Sequence, residues 1–373
     1  MKSDLPSGLS APETKPRYER ICDQIAREIA ARRYAPGERL PSDAELAARF
    51  SVSRLTVIRA LRELETHGLV QRKAGSGTYV RHAAEPATRV FGLLMPDLDE
   101  GEVFEPICHG IARAGESLHH RVLWGNAPSS AQAKEQRAEE LCRYLIGRKV
   151  SGVFFAPVEL TPNRDSANLR IEKELTANGI PIVLVDRCIA PYPERSRHDL
   201  VGIDNRRAGY IVTNHLIRAG CRRVAFAARS GSAPTVDARM SGYEHAVTRA
   251  GLHRVPSLVF QAGTDEVETV RRFMKQARPD GIACANDFTA ATLMHHLLKL
   301  GVRIPADVRM VGINDVKYAG FLPVPLTTLR QPCHQIGAAA MAVMLDRLER
   351  PEAPIQDVLL DCELIVRQSC GTA

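Results

Sequence analysis

Ile21, Ile25 and Ile29 recur every fourth residue near the start of the chain, a spacing that lines one face of an α-helix. Pro36-Gly37 marks a turn after it. Ser42 stands three residues ahead of Glu45 and opens an apolar run. That spacing is a capping box and predicts a second helix over 42–50. The break Ser51-Val52-Ser53 precedes a third helical pattern over 54–67, which Gly68 stops. Two short strands, 69–71 and 78–80, flank the segment Lys73-Ala74-Gly75-Ser76-Gly77. Helix, helix, turn, helix and β-hairpin in this order make a winged helix-turn-helix.

The rhythm changes at Val90. Short β-branched runs alternate from there with amphipathic stretches of 12–18 residues. The predicted strands cover 90–95, 122–124, 150–155, 182–186, 201–203, 223–227, 257–260, 281–285 and 309–313. Such alternation predicts an α/β body of doubly wound parallel sheets. Two units of that kind suit its length and would leave a cleft between them, at the carboxyl ends of the strands. The expected division is a tail (1–16), a head (17–82), a linker (83–88) and a two-lobed body (89–373). Lobe 1 would take 89–190 and 332–354, and lobe 2 would take 191–325 and 355–368.

With 373 residues, 45% hydrophobic and 25% charged, the chain has the balance of a folded globular protein of two or three domains. Its longest apolar runs, such as Ile180 to Val185, are far below the roughly 18 residues that cross a bilayer. MKSDLPSGLS has no apolar signal core, so a cytoplasmic protein is expected. Nine cysteines without CxxC spacing read as free thiols, and no Cys/His cluster suggests a metal. The adjacent pairs His119-His120 and His295-His296 diverge on a helix and read as surface or capping residues. The net charge of +7 is uneven. Residues 17–82 hold thirteen Lys and Arg against eight Asp and Glu, which is +5, while residues 83–373 carry only +2. A small basic module on a nearly neutral body suits a polyanionic partner, nucleic acid first.

At about 100° per residue, Val57, Ala60, Leu61 and Leu64 share the core face of the third helix. Leu55, Arg59 and Arg62 lie opposite, where the helix would enter a major groove. Arg54 and Thr56 occupy its first turn. Ser53 reads as its cap and could reach a phosphate, and Ser42, the cap of the second helix, joins the same set. In the wing, Arg72 and Lys73 bring charge, and Gly75 and Gly77 around Ser76 allow a tight turn and close approach to a backbone. On the helix alone a plainer reading exists: a solvated face with Arg59 and Arg62 paired to Glu63 or Glu65. The neighbouring capped helix, the wing and the local charge favour DNA.

The run from Tyr18 through Pro36-Gly37-Glu38, Leu40-Pro41-Ser42-Asp43, Glu45-Leu46-Ala47, Phe50-Ser51-Val52-Ser53-Arg54-Leu55-Thr56-Val57, Gly68-Leu69-Val70 and Gly75-Ser76-Gly77-Thr78-Tyr79-Val80 resembles the GntR-type winged helix over residues 18–80. It departs where the family carries Arg two positions after the motif threonine. Ile58 stands there and Arg59 follows, which suggests that the base-reading arginine is displaced by one.

The body resembles the sugar-binding domain of LacI/GalR-type regulators and periplasmic sugar-binding proteins from about Val90 to Gln368. The markers are Gly179-Ile180-Pro181-Ile182-Val183-Leu184-Val185-Asp186-Arg187, Ile203-Asp204-Asn205, Arg239-Met240-Ser241-Gly242-Tyr243, Ala285-Asn286-Asp287, Val311-Gly312-Ile313-Asn314-Asp315 and Pro325 to Pro332. A GntR-type head on such a body is similar to the AraR-like class of carbohydrate regulators. The resemblance implies a homodimer that binds operator DNA and responds to a sugar or sugar derivative held between the lobes, with no cofactor and no catalysis. Carried over, Arg187 and Arg239 would donate to ligand hydroxyls or a carboxylate, Asn286 would bridge two hydroxyls, and Gln331 would contribute from a hinge strand. Asn314 replaces an Asp usual in the family. Phe104 is the candidate platform for a sugar face, with Phe288 and Trp124 weaker and Trp124 more readily core. Asp97 could accept from a hydroxyl. Asp186 reads as structural, and Asp204 and Asp287 as helix caps or hinge anchors.

Two other readings compete. Some GntR-type heads carry an aminotransferase-like body that holds pyridoxal phosphate on a lysine, but no such lysine motif, GxSxG elbow or phosphate loop is visible. A body that only dimerises, with no ligand, is the third reading.

Overall fold

The opening hydrophobic spacing builds three helices, α1 (Arg17–Ala30), α2 (Asp43–Phe50) and α3 (Arg54–Thr66). The computed structural model describes residues 16–31, 33–66, 68–73, 76–80, 88–95, 103–124, 134–190, 194–260 and 266–371. At the start of α2 both halves of the capping box form. Ser42 Oγ accepts the Glu45 N–H at 3.3 Å, and the Glu45 carboxylate accepts the Ser42 N–H at 2.7 Å. Ile21, Ile25, Leu46, Val57, Leu61 and Leu64 meet in one buried cluster with Val70 and Val80. Those two valines are paired across an antiparallel hairpin of β1 (Val70–Lys73) and β2 (Gly77–Val80). Its tip returns through Gly77 at φ 123°, a backbone that side chains other than glycine rarely adopt. Glu28 is buried between α1 and α2. The Arg49 guanidinium beside it, helped by the Gln24 amide, holds its carboxyl down at about 2.

Residues 88–373 form a second unit, separate from residues 1–87. Its elements are β3 (Val90–Leu94), α4 (Phe104–Ser117), β4 (Arg121–Trp124), α5 (Lys134–Gly147), β5 (Gly152–Phe155), α6 (Arg164–Ala177), β6 (Ile182–Val185), β7 (Asp199–Ile203), α7 (Asn205–Arg218), β8 (Val224–Arg229), α8 (Pro234–Arg249), β9 (Leu258–Phe260), α9 (Glu266–Ala277), β10 (Gly281–Cys284), α10 (Asp287–Lys299), β11 (Arg309–Asn314), β12 (Thr327–Arg330), α11 (Cys333–Glu349), β13 (Asp357–Leu360) and β14 (Glu363–Ile365). One sheet runs β13-β7-β6-β5-β3-β4, parallel throughout. The other runs β14-β12-β11-β10-β8-β9, parallel except where β14 pairs with β12. The fold is the expected pair of doubly wound sheets.

The lobe boundaries differ from those expected. The strand at 199–203, expected in lobe 2, pairs with β6 through Val183 and Asp199. The strand at 357–360 pairs in turn with β7. Both therefore complete the first sheet, and the chain crosses between lobes after β7, at Gln331 and after β13. Hydrophobic runs do not reveal which sheet a strand joins; register does. In the second lobe α7 presses on α8 so closely that a Cβ on Gly209 would meet the Arg239 carbonyl, and one on Gly242 the Arg206 carbonyl. That contact fixes the height of Arg239 above its sheet. His120 is buried with its ring edge-on to Phe91 at 5.6 Å, so it is a core residue and not a surface one.

Candidate functional site

In the head, the first strand of the wing is tied to the start of α2 and the end of α3. The Arg72 N–H donates to Glu65 at 2.9 Å and its guanidinium pairs with Asp43, which pins β1 to both helices. Ser42, Arg54, Ile58, Arg72, Lys73 and Gly77 thereby line one groove of about 770 Å³ together with Arg39 and Thr78. The other expected contacts lie outside it. Ser53 Oγ accepts the Thr56 N–H at 3.3 Å and bonds Thr56 Oγ1 at 2.9 Å, as a cap does. Leu55 is 77% exposed, and Arg62 is exposed beside it. Ser76 bonds the Tyr79 hydroxyl at 2.7 Å, and Lys73 stands 4.9 Å from the Tyr79 ring centre. Gly75 lies outside the described residues.

Arg59 does not line that groove. Its guanidinium stacks 4.0 Å above the ring of Tyr18, on the side of α3 that α1 crosses. Ile58 lines the groove with Arg54. A helical wheel identifies the core face of a helix, but it does not say on which flank a neighbouring helix packs.

In the body, a cavity of about 600 Å³ opens between the lobes at the carboxyl ends of both sheets, a size suited to a small-molecule ligand. Phe104, Arg187, Arg239, Asn286, Asn314 and Gln331 all line it, as does Phe288. Asp97 lies outside the described residues. Trp124 is on the edge strand β4, 42% exposed and tilted against the His109 ring at 5.3 Å, so it is neither core nor cavity wall.

Arg187 follows β6 and is 4% exposed. It pairs with Glu159 at 2.7 Å and with Asp186 at 3.2 Å, and its guanidinium lies 4.9 Å over the ring of Phe104. One face of the expected platform is thus already covered by a cation. Glu159 is itself pulled two ways. Burial pushes its pKa up, but the Arg187 charge and the Ala233 N–H at 2.9 Å outweigh that and leave the carboxyl below its usual range. Asp186, at φ 69°, serves Arg187 and the cavity wall, where the sequence suggests a purely backbone role.

Arg239 Nε donates to Asn205 Oδ1 at 2.8 Å and Nη1 to the Ala285 carbonyl at 2.6 Å. Asn286 both caps α10, accepting the Thr289 N–H at 2.8 Å, and faces the cavity. Asn314 ends β11 at φ 130°, and its Oδ1 accepts the Gln331 amide at 2.8 Å. The Gln331 Oε1 is buried without a partner. A buried acceptor left unpaired costs free energy unless a donor arrives, and here the cavity is where the donor would come from. Asp204 caps α7, accepting the Arg207 N–H at 2.9 Å. Asp287 instead ties α10 to the strands beside it. It accepts from Thr328 Oγ1 at 2.6 Å and from the Val316 N–H at 3.0 Å, and burial pushes its carboxyl up to about 6.

Lys134, Glu159 and Arg229, none of them singled out by sequence pattern, also line the cavity. Arg229 is the last residue of β8 and Glu159 follows β5, so the rule that ligands meet the carboxyl ends of strands could have found both. The two lobes also touch directly at the mouth. The Leu160 N–H donates to the Gly231 carbonyl at 2.9 Å, and Arg164 donates to the same oxygen at 2.7 Å and to the Ser232 carbonyl.

Residues 17–80 match the bacterial regulatory proteins of the gntR family, and residues 213–370 match the periplasmic binding protein-like domain. The chain is 28% identical over 369 residues to the arabinose metabolism transcriptional repressor of Geobacillus stearothermophilus, covering 96% of this chain and 98% of that one. It is similar in structure to a transcriptional regulator CelR in complex with cellobiose, with a TM-score of 0.63, 22% identity, and 88% of this chain and 100% of that one covered. A LacI family transcriptional regulator from Enterococcus faecium with bound ribose gives a TM-score of 0.59 at 22% identity, covering 75% of this chain and 98% of that one. Among the described residues no helix is long and apolar enough to cross a membrane.

Proposed function

The chain joins a GntR-type winged-helix head to a periplasmic-binding-protein-like body of the LacI type, and from that premise we propose that it is a ligand-responsive transcriptional repressor. The head binds double-stranded operator DNA. The groove between α3 and the wing supplies Arg39, Arg54 and Lys73 as cations for phosphates and base edges, beside Arg72, which is paired with Asp43. The body binds a small polyhydroxylated effector, a sugar or sugar derivative, between its lobes. The observation that carries this reading is the unpaired Gln331 Oε1 in a cavity lined by Arg239, Asn286 and Asn314. Planar multi-donor side chains around an unpaired acceptor suit a ligand rich in hydroxyls. The curated relative acts in arabinose metabolism, and the two structural relatives hold cellobiose and ribose, which supports the same class.

The working form is a cytoplasmic homodimer without catalytic activity. Two heads read the half-sites of a near-palindrome spaced by about one helical turn, roughly 34–36 Å, or a multiple of it. The effector shifts the population of body conformations and thereby operator affinity. Selecting genomic fragments on the purified chain, then adding a sugar panel, tests the proposal. One recovered palindromic sequence released by one small molecule is expected. Retention of DNA without sequence preference, or release by none of the compounds, would count against it.

A further inference from the structure

The groove between α3 and the wing is lined by Arg39, Arg54, Arg72 and Lys73 and, among its described residues, by one carboxylate, Asp43. Asp43 is the first residue of α2, one position after the Ser42 cap. The Glu45 carboxylate, two residues on, is turned back onto that cap, taking the Ser42 N–H at 2.7 Å and its hydroxyl at 2.8 Å. Asp43 instead reaches the wing, where its Oδ2 pairs with Arg72 Nη2. Arg72 is fixed at its backbone as well, by the N–H that Glu65 accepts. The Arg72 and Asp43 side chains are 30% and 33% exposed, so both are partly open to what enters the groove.

On a surface that meets DNA a carboxylate has few partners. It accepts hydrogen bonds and cannot donate one. Phosphate oxygens, guanine O6 and N7 and thymine O4 are acceptors too, and they repel it. The donors in the major groove are the exocyclic amino groups of cytosine and adenine. The bond to Arg72 uses Oδ2 and leaves Oδ1 for such a donor. Arg72 brings the complementary property. Its guanidinium only donates, its fork holds more N–H groups than Asp43 takes, and guanine O6 and N7 are the acceptors that suit it. On a G·C pair those two acceptors lie together with the cytosine amino group beside them. On an A·T pair the amino group stands between two acceptors, which splits the pattern. Toward phosphates the paired charges largely cancel, so this corner of the groove serves base edges and leaves general attraction to Arg39, Arg54 and Lys73.

Resting on the DNA-binding reading above, we infer that Asp43 and Arg72 act as one unit that reads a G·C base pair of the operator. Asp43 accepts from the cytosine amino group, and Arg72 donates to the guanine.

Selecting random-sequence duplexes on the full chain, followed by sequencing, tests this with Asp43→Asn, Arg72→Gln and Asp43→Glu beside the native chain. The native selection is expected to hold a G·C pair in each half-site that Asp43→Asn and Arg72→Gln both leave free, with the remaining positions kept. Exchanging that pair for A·T in the selected duplex should weaken the native chain about 10-fold or more and either variant less than about threefold. Asp43→Glu keeps the carboxylate and should keep the preference. If Asp43→Asn lowers the thermal midpoint of the chain, Asp43→Ser supplies the same reading with a neutral side chain that suits a first turn. An ion pair that only braces the wing predicts affinity lost evenly over all positions, and that outcome overturns the inference. So does a changed position that prefers A·T, or different positions changed by the two variants. A chain that retains no duplex at low salt fails the DNA-binding reading itself, and the inference with it.

Discussion

Glu28 and Asp287 are both buried carboxyls, yet they respond to pH with opposite sign. Arg49 holds Glu28 at about 2, below the usual 4.5. Its contribution to stability is therefore present above about 4.5 and lost as pH falls toward 2. A displacement of that size, discounted for the partial exposure of Arg49, makes the link worth about 2 kcal/mol. Glu28→Gln should lower the free energy of unfolding of the α1–α2 contact by that amount at pH 7 and by only about a quarter of it at pH 2.5. Hydrogen exchange in α1 against pH reads it, and a constant difference would refute the pairing. Asp287 runs the other way. Burial raises it to about 6, with Asp315 adding repulsion, so the folded lobe favours the protonated form. Stability from this group is present below about 4 and lost as pH rises through 6. Asp287→Asn keeps an acceptor for the Val316 N–H and cannot ionise. Its stability relative to the native chain should grow by about 2–3 kcal/mol between pH 4 and pH 7, measured by denaturant titration. A difference independent of pH would mean that Asp287 does not ionise in this range.

At the level of elements, the sequence is legible where apolar β-branched runs alternate with amphipathic stretches and opaque where they do not. Nine predicted strands are present, from β3 to β11. The three missed strands each hide for a physical reason. β12 carries Thr327 and Thr328, both fully buried with hydroxyls paired to Arg367 O and Asp287, so its core looks polar in sequence. β13 is an edge strand with exposed Asp357 and Leu359, and β14 is only three residues long. Site residues follow the same division. Arg187, Asn286 and Gln331 sit in recognisable motifs at strand ends and Arg239 in one on α8, whereas Lys134 sits at a helix start and Glu159 on a loop whose backbone partner is in the opposite lobe. That partner is what the latch at the mouth reveals. Glu159 takes the Ala233 N–H at the start of α8, and Arg164 takes carbonyls from the same loop. Arg164→Ala should remove about 1 kcal/mol from the closed form and speed ligand release roughly fivefold. Stopped-flow dissociation measures this, and an unchanged rate would show that the mouth is not held by Arg164.

On the scale of the whole molecule, charge and linkage make two demands that can be checked together. Phosphate contacts release counterions, so operator affinity should fall linearly with the logarithm of salt concentration. Arg54→Gln should flatten that slope by about 1 for each head that loses its contact. Arg59→Gln should do so less, because its guanidinium is engaged on Tyr18. The effector acts on a different quantity. Whatever its chemistry, it changes operator affinity only through a difference in its affinity for two states of the body. Linkage then requires reciprocity: if the effector weakens operator binding by a factor, operator must weaken effector binding by the same factor, within a usual range of about 5–150. Titrating effector with and without operator, and operator with and without effector, gives two independent values of one number. Equal factors above 1 establish a single coupled equilibrium running from cavity to head. A factor of 1 in both directions would leave the cavity without regulatory consequence and return the body to the role of a dimerisation module.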